Sequence, residues 1–149
     1  MPSGRDNFRD RYEAEPDSVS RARGDVASFA VAVGANATKV TDIRLAVSEA
    51  VTNAVLHGYR GAPGDVHVAA EVVGEALWVE VCDTGYGIQT PRASPPARPG
   101  LGLGLGLIAQ IVDELSVTPL VPGGTRLRMR FDLVAAGEPS SAARQPVAA

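Results

Sequence analysis

The sequence predicts an α/β fold, a two-layer sandwich in which a mixed, mostly antiparallel sheet carries helices on one face. Three observations support this prediction. Apolar residues recur at helical spacing in the first third of the chain, Val-rich stretches alternate in polarity further on, and the element order lacks the regular strand–helix alternation of a parallel sheet. The other face of the sheet is expected to be open and available to a partner.

The composition is that of a single domain. The chain has 149 residues, of which 45% are hydrophobic and 21% charged, so it can bury a sizeable core. Its net charge of -3 argues against nucleic acid as a direct partner, and no segment reaches the roughly 18 consecutive apolar residues of a membrane span. The single cysteine, Cys82, excludes an internal disulfide, fits a reducing, cytoplasmic compartment and is interpreted as a buried thiol.

One strand and two helices are expected in the first half of the chain. The strand lies near residues 8–14, although its polar and apolar residues alternate poorly. Helical periodicity then predicts two helices, each introduced by a side chain that can cap its N-terminus. The first helix is expected to have Asp17 or Ser18 as its N-cap and to be stopped by Gly34. The second is expected to have Thr41 or Asp42 as its N-cap and to run through Leu56.

Strands dominate the second half. Residues 65–73 and 76–82 are rich in Val and alternate, with Gly74 and Glu75 between them as a two-residue hairpin turn. The proline-containing stretch 90–100 is expected to be a loop, 103–115 a helix, and 116–121 and 125–134 strands. The domain is therefore expected over residues 15–135, between an N-terminal segment (1–14) and a disordered tail (136–149) rich in Ala and Ser.

Polar residues interrupt two of these elements in a way that predicts a binding site. Glu49 and Asn53 are four residues apart on the second helix, so their side chains leave the same face. Asp83 ends an apolar strand and is followed by Gly85 and Gly87, which is typical of a strand that enters a ligand-contacting loop. Together these residues indicate a nucleotide site.

Two glycine-containing segments complete the pattern. Residues 98–105 run Arg-Pro-Gly-Leu-Gly-Leu-Gly-Leu before a helix, and Gly123-Gly124-Thr125 precede an alternating strand. Glycine lets backbone N–H groups approach phosphate oxygens, and a helix N-terminus favours an anion. The alternative for the glycine–leucine run is close packing between helices. Because Lys39 is the only lysine of the chain, no P-loop lysine can bind the phosphates.

The four segments resemble, in order, the N box, the two glycine boxes and the final Gly-Thr box of the Bergerat-fold ATPase superfamily. That superfamily contains DNA gyrase, the heat-shock chaperone, histidine kinases and the mismatch-repair ATPases. The resemblance covers roughly residues 40–133. Within the superfamily, the chain is most similar to the anti-sigma-factor serine/threonine kinases, because it is short and carries residues 42–53 almost as that branch has them.

The resemblance implies ATP and Mg²⁺ as cofactors. In the family, Asp83 would accept the amino group of adenine with help from Thr125, and Asn53 would be the metal ligand. The remaining residues expected around the nucleotide are Gly85, Gly87, Ile88, Gly100, Leu101, Gly102, Leu103, Gly104 and Leu105. The alternatives are a solvated polar residue for Asn53, a turn-stabilising carboxylate for Asp83 and an ordinary strand residue for Thr125.

Glu49 is the candidate catalytic residue, since a carboxylate one helical turn from the metal ligand can orient or deprotonate an attacking hydroxyl. Its alternative role is an ion pair with an arginine. His57 is a tempting phosphoacceptor, but a histidine at a helix C-terminus is favourable with the helix dipole without any chemistry.

The resemblance implies a kinase that phosphorylates an anti-sigma-factor antagonist protein and sequesters a sigma factor by partner switching. Two alternatives remain: a non-catalytic module in which ATP orders the loop 90–100 and gates a partner, and a histidine-kinase-like ATPase domain. The latter lacks room in the first 40 residues for a helical domain that bears the acceptor histidine. Whether the chain forms a homodimer is left open.

Overall fold

Five strands form one sheet in the computed structural model, which describes residues 7–59, 62–85 and 101–134. The strand order is β1-β2-β3-β5-β4, and each of these described pairings is antiparallel. The elements in chain order are β1 (Asn7–Glu13), α1 (Pro16–Ala32), α2 (Ala37–Asn53), a π-helical turn (Ala54–Gly58), β2 (Asp65–Val73), β3 (Ala76–Asp83), α3 (Leu101–Ile111), β4 (Glu114–Pro119) and β5 (Thr125–Asp132).

The core lies between the sheet and the helices. Val79 at the centre of β3 pairs with Ala70 on one side and Met129 on the other, and all three are buried. The preceding residue of β3, Trp78, lies on the opposite face, where the guanidinium carbon of Arg128 is 4.1 Å from the centre of its ring. The predicted two-layer α/β sandwich is therefore confirmed, and the sheet expected to be mixed is antiparallel in its described pairings.

The N-caps predicted for the first two helices are wrong. α1 starts at Pro16, where the missing N–H costs nothing because the first N–H groups of a helix have no partner within it. α2 starts at Ala37, because Asn36 Oδ1 accepts a hydrogen bond of 2.8 Å from the Lys39 N–H. Thr41, an expected cap, instead lies within α2, and its hydroxyl donates to the Ala37 carbonyl.

The end of α2 also differs from a plain helix. The expected helix to Leu56 is α-helical only to Asn53 and continues as the π-turn to Gly58. Such turns widen the backbone by one residue and often mark functional sites. Here the turn immediately follows the candidate metal ligand.

The hairpin of β2 and β3 is confirmed, with Gly74 at a φ of 61° that suits glycine. The helix expected over 103–115 is α3, which ends at Ile111, because the Asp113 N–H donates to the Arg130 carbonyl of β5 and starts the strand pairing. β4 consequently starts and ends two residues earlier than expected, and β5, which starts as expected at Thr125, ends at Asp132. The expected loop 90–100 and tail 136–149 lie outside the described residues.

Candidate nucleotide-binding site

A pocket opens between the end of α2, the π-turn and one end of the sheet. Its cavity volume is about 30 Å³, within about 400 Å³ of space that includes the open solvent at its mouth. Its lining is mainly apolar with a few polar groups, which is typical of small-molecule sites. The lining residues are Ala50, Asn53, Ala54, His57, Gly58, Val81, Asp83, Leu105, Thr125 and Leu127.

Asp83 is the buried acid of this pocket. It is the last residue of β3, only 5% exposed, and its Oδ1 accepts a hydrogen bond of 3.2 Å from the Gly85 N–H. Burial raises the pKa of Asp83, and hydrogen bonds from the backbone of Gly85 and Thr125 oppose that rise without cancelling it. A buried carboxylate with unused lone pairs is suited to accept a hydrogen bond from a ligand.

Glycines bring backbone up against Asp83 from two directions. A β-carbon on Gly58 would lie 2.8 Å from Asp83 Cγ, and one on Gly124 would overlap the Asp83 carbonyl oxygen. Gly124 also has a φ of 111°, which other residues rarely adopt. The Gly-Thr segment predicted from the sequence thus has a packing reason for its glycine: it lets the start of β5 approach the end of β3.

Asn53 and Glu49 face the first turns of α3. A β-carbon on Gly104 would lie 3.2 Å from both Asn53 Oδ1 and Glu49 Oε2. Asn53 Nδ2 is buried and has no hydrogen-bond partner among the residues that the structure describes, although a buried amide nitrogen is normally paired. Because the amide can be turned over to present its oxygen, the side chain fits a cation that takes oxygen ligands, such as Mg²⁺.

The glycine run is placed differently from the prediction. Gly102 is expected just before the helix over 103–115, but it lies within α3, which begins at Leu101, and Gly104, expected at the start of that helix, lies one turn into α3. Gly104 is buried against α2, so close helix packing, the alternative considered for this run, accounts for it. Leu105 lines the pocket, and the structure describes only the backbone at Leu101 and Leu103. Gly87, Ile88 and Gly100 lie outside the described residues.

Two alternatives from the sequence can be compared with the structure. Among the described residues, no arginine forms an ion pair with Glu49, so the alternative Glu49–arginine pair is not found. His57 lies in the π-turn and lines the pocket.

Sequence analysis missed Tyr59, which follows the π-turn. The residue is 6% exposed, and its hydroxyl hydrogen bonds to the Thr84 N–H and to the Asp65 carbonyl. An aromatic residue beside a helix-ending glycine gives no sequence signal for such a role, because its partners are 6 and 25 residues away along the chain.

Comparison with known proteins places this geometry in context. Residues 12–131 match the family described as the histidine kinase-like ATPase domain. The anti-sigma F factor of Clostridium acetobutylicum is 35% identical over 127 residues, which are 80% of this chain and 89% of the relative. The anti-sigma F factor of a Thermoanaerobacter species is also 35% identical, over 79% of this chain and 87% of the relative.

Two solved structures share the fold of this chain. A Mycobacterium tuberculosis protein with RsbU and RsbW domains superimposes with a TM-score of 0.67 and 25% identity over 85% of this chain, which spans only 32% of that longer protein. The histidine kinase domain of a blue-light activated kinase from Erythrobacter litoralis gives a TM-score of 0.55 and 25% identity, over 77% of this chain and 61% of that one. None of the helices in the described ranges is long and apolar enough to cross a membrane.

Proposed function

The chain belongs to the histidine kinase-like ATPase family and, within it, to the anti-sigma F factors, and we propose that it is an ATP-dependent serine/threonine protein kinase. The observation that carries this proposal is the meeting of Glu49 and Asn53 at Gly104, on the pocket that also contains Asp83. In this arrangement the carboxylate can act on the attacking hydroxyl, the amide can hold Mg²⁺ and the buried acid can bind the base of ATP.

Asp83 binds the base in this proposal. Adenine presents an exocyclic amino group, and the buried carboxylate accepts a hydrogen bond from it. Thr125 lies opposite Asp83 in the β3–β5 register and lines the same pocket, so it can contact the base from the neighbouring strand. The apolar side chains of Val81, Leu105 and Leu127 cover the ring faces.

Asn53 binds the metal in this proposal. A Mg²⁺ ion, held by the amide oxygen of Asn53 and by phosphate oxygens, neutralises phosphate charge during transfer. The Asn53 amide nitrogen, which has no partner among the described residues, supports this role, because the amide can be turned over so that its oxygen faces a cation. α3 approaches the same amide through Gly104, and the residues that precede α3 are proposed to contact the phosphates.

Glu49 acts on the substrate hydroxyl. Its carboxylate shares the Gly104 contact with Asn53, so it lies beside the proposed metal ligand. There it accepts the proton of a serine or threonine hydroxyl as the oxygen attacks the γ-phosphorus and ADP leaves. Losing such a base typically lowers the rate by about 10² to 10⁴.

The relatives named anti-sigma F factor support the choice of partners. We propose that the chain binds a sigma factor and phosphorylates an anti-sigma-factor antagonist protein. The phosphorylated antagonist then loses affinity for the chain. A partner of the transcription machinery implies a cytoplasmic location. The open face of the sheet, with Trp78 under Arg128, is available for a second copy or another protein.

Phosphate transfer from γ-labelled ATP to the purified antagonist tests the kinase function. Glu49→Gln is expected to keep ATP affinity within a few-fold and to lower the transfer rate by roughly 10² or more. The matched control is Glu75→Gln, the same chemical change at the exposed hairpin turn, which is expected to transfer phosphate at the wild-type rate.

A different outcome would support the non-catalytic alternative. If the wild-type protein binds ATP and a sigma factor but transfers no phosphate to the antagonist, ATP gates a partner rather than serving as a phosphate donor, and the kinase proposal is wrong.

A further inference from the structure

Tyr59 connects three segments that meet behind the pocket. It follows the π-turn directly, and its hydroxyl lies between the first residue of β2 and the residue after β3. The phenol donates a short hydrogen bond to the Asp65 carbonyl and accepts one of 3.0 Å from the Thr84 N–H. Since β2 and β3 are neighbouring strands, this hydroxyl joins their ends beside Asp83.

The ring of Tyr59 has little room to move. A β-carbon on Gly64 would overlap the ring, and one on Gly85 would overlap the Gly58 carbonyl and lie 3.0 Å from the ring. The chain therefore has glycine at two positions that closely contact Tyr59. With 6% of its surface exposed, the side chain is held from all sides.

The turn that Tyr59 holds is the one that orients Asp83. The Thr84 N–H bonds to the phenol, and the next N–H along the chain, that of Gly85, donates to Asp83 Oδ1. Fixing the peptide at Thr84 thus fixes the donor that orients the carboxylate. Gly58, next to Tyr59, packs against Asp83 Cγ from the other side.

We propose that Tyr59 is a positioning residue that determines base specificity: its hydroxyl fixes the Thr84–Gly85 turn and so aims the Asp83 carboxylate at the amino group of adenine. This inference rests on the proposed function, in which Asp83 binds the base. Because Tyr59 follows the π-turn that begins after Asn53, one continuous segment positions both the metal ligand and the base acceptor.

The test is Tyr59→Phe, which keeps the ring and removes only the hydroxyl. The control is Tyr12→Phe, which removes another buried tyrosine's hydrogen bond, the 2.7 Å bond from Tyr12 to Asp25 between β1 and α1. Calorimetry measures the Kd of each variant for ATP and for GTP, and phosphate transfer to the antagonist gives KM and kcat.

We expect Tyr59→Phe to weaken ATP binding about tenfold and to raise KM with kcat unchanged. GTP affinity is expected to stay the same, because guanine in the pose of adenine places its 6-carbonyl oxygen, which cannot donate a hydrogen bond, against the Asp83 carboxylate. The ATP-to-GTP ratio therefore falls. Tyr12→Phe is expected to lower the melting temperature while leaving both the affinities and their ratio at wild-type values.

Wild-type ATP affinity in a folded Tyr59→Phe protein would overturn the inference, as would an equal loss for ATP and GTP. A second measurement needs no variant. The Thr84 amide of the nucleotide-free wild-type protein should be protected from hydrogen exchange, and exchange at the unprotected rate would also overturn the inference. Failure of the proposed function looks different, since the wild-type protein would then not bind ATP or would bind it equally well after Asp83→Asn.

Discussion

Gly104 of α3 lies so close to Asn53 of α2 that a β-carbon at position 104 would be 3.2 Å from the Asn53 amide oxygen. This distance is shorter than ordinary van der Waals contact. The absence of a side chain at Gly104 therefore lets the helix that contains the glycine run approach the candidate metal ligand.

The first prediction is that Gly104→Ala weakens Mg-ATP binding by about tenfold without unfolding the protein. The added methyl group displaces the side chains of Asn53 and Glu49 by a few tenths of an ångström, whereas alanine favours the helix by up to about 1 kcal/mol relative to glycine. Calorimetric titration with Mg-ATP and urea denaturation separate the two effects.

Gly106→Ala is the matched control for this variant. Gly106 lies in the same helix and is exposed, and among the described residues no atom beyond its chain neighbours and its own helical backbone lies within 4 Å of a β-carbon added to it. It is expected to gain about 1 kcal/mol of stability and to bind Mg-ATP as the wild type does. An equal loss of affinity in both variants would show that α3 tolerates no alanine and would remove the argument from Gly104.

The contrast between Asn53 and Gly104 shows what the sequence could predict. The four-residue spacing of Glu49 and Asn53 is sufficient to put both on one helical face, because it depends only on helical periodicity. The contact of Gly104 with Asn53 could not be predicted, because it joins two separate helices. The start of α3 at Leu101 could not be predicted either, because a run of Gly and Leu has no capping signal to mark where the helix begins.

The second prediction concerns base binding. Asp83→Asn replaces an acceptor-only carboxylate by an amide of the same shape, and we expect it to lower ATP affinity at least about tenfold. Asp132→Asn is the control, because Asp132 lies at the opposite end of β5 from Thr125. Retained affinity in Asp83→Asn, measured by calorimetry, contradicts the assignment of Asp83 to the base.

The same variant is expected to be more stable than the wild type at neutral pH. The pKa of Asp83 is raised above 3.8 in the folded protein, chiefly by burial, so ionising Asp83 costs folding free energy. Its contribution to stability is fully present below pH 3.8 and is lost as the pH rises through the raised value. Urea denaturation should therefore show a gain for Asp83→Asn at about pH 7 that shrinks towards about pH 4.

The third prediction concerns the metal. Asn53→Ala is expected to weaken ATP binding about tenfold or more in the presence of Mg²⁺ and to have little effect in EDTA, because the amide completes the coordination of the ion rather than contacting the base. The variant is also expected to stay folded, because the amide nitrogen that it removes forms no hydrogen bond among the described residues. An equal loss with and without EDTA would assign Asn53 a structural role.

The early end of α3 depends on contacts with residues distant in sequence. α3 is expected from periodicity to extend to Leu115, but it ends early because Asp113 bonds to groups that periodicity cannot identify. Its backbone N–H donates to the Arg130 carbonyl, and its carboxylate accepts from the Asp132 N–H at 2.8 Å and from Lys39 Nζ at 3.2 Å. These contacts join α2, the end of α3 and β5.

The fourth prediction is that Asp113→Asn destabilises the fold with the opposite pH dependence to Asp83→Asn. Burial alone would raise the pKa of Asp113, but the Asp132 N–H and then the hydrogen bond and charge of Lys39 outweigh it, so the pKa lies below 3.8. The contribution of Asp113 is therefore fully present above pH 3.8 and is lost as the pH falls through the lowered value. We expect a loss of about 1 kcal/mol at about pH 7 that diminishes only below pH 3.8. Urea midpoints for the wild type and both variants between about pH 7 and about pH 2 measure this loss. A loss that does not change over this range would show that the Asp113 charge is not what joins the three elements.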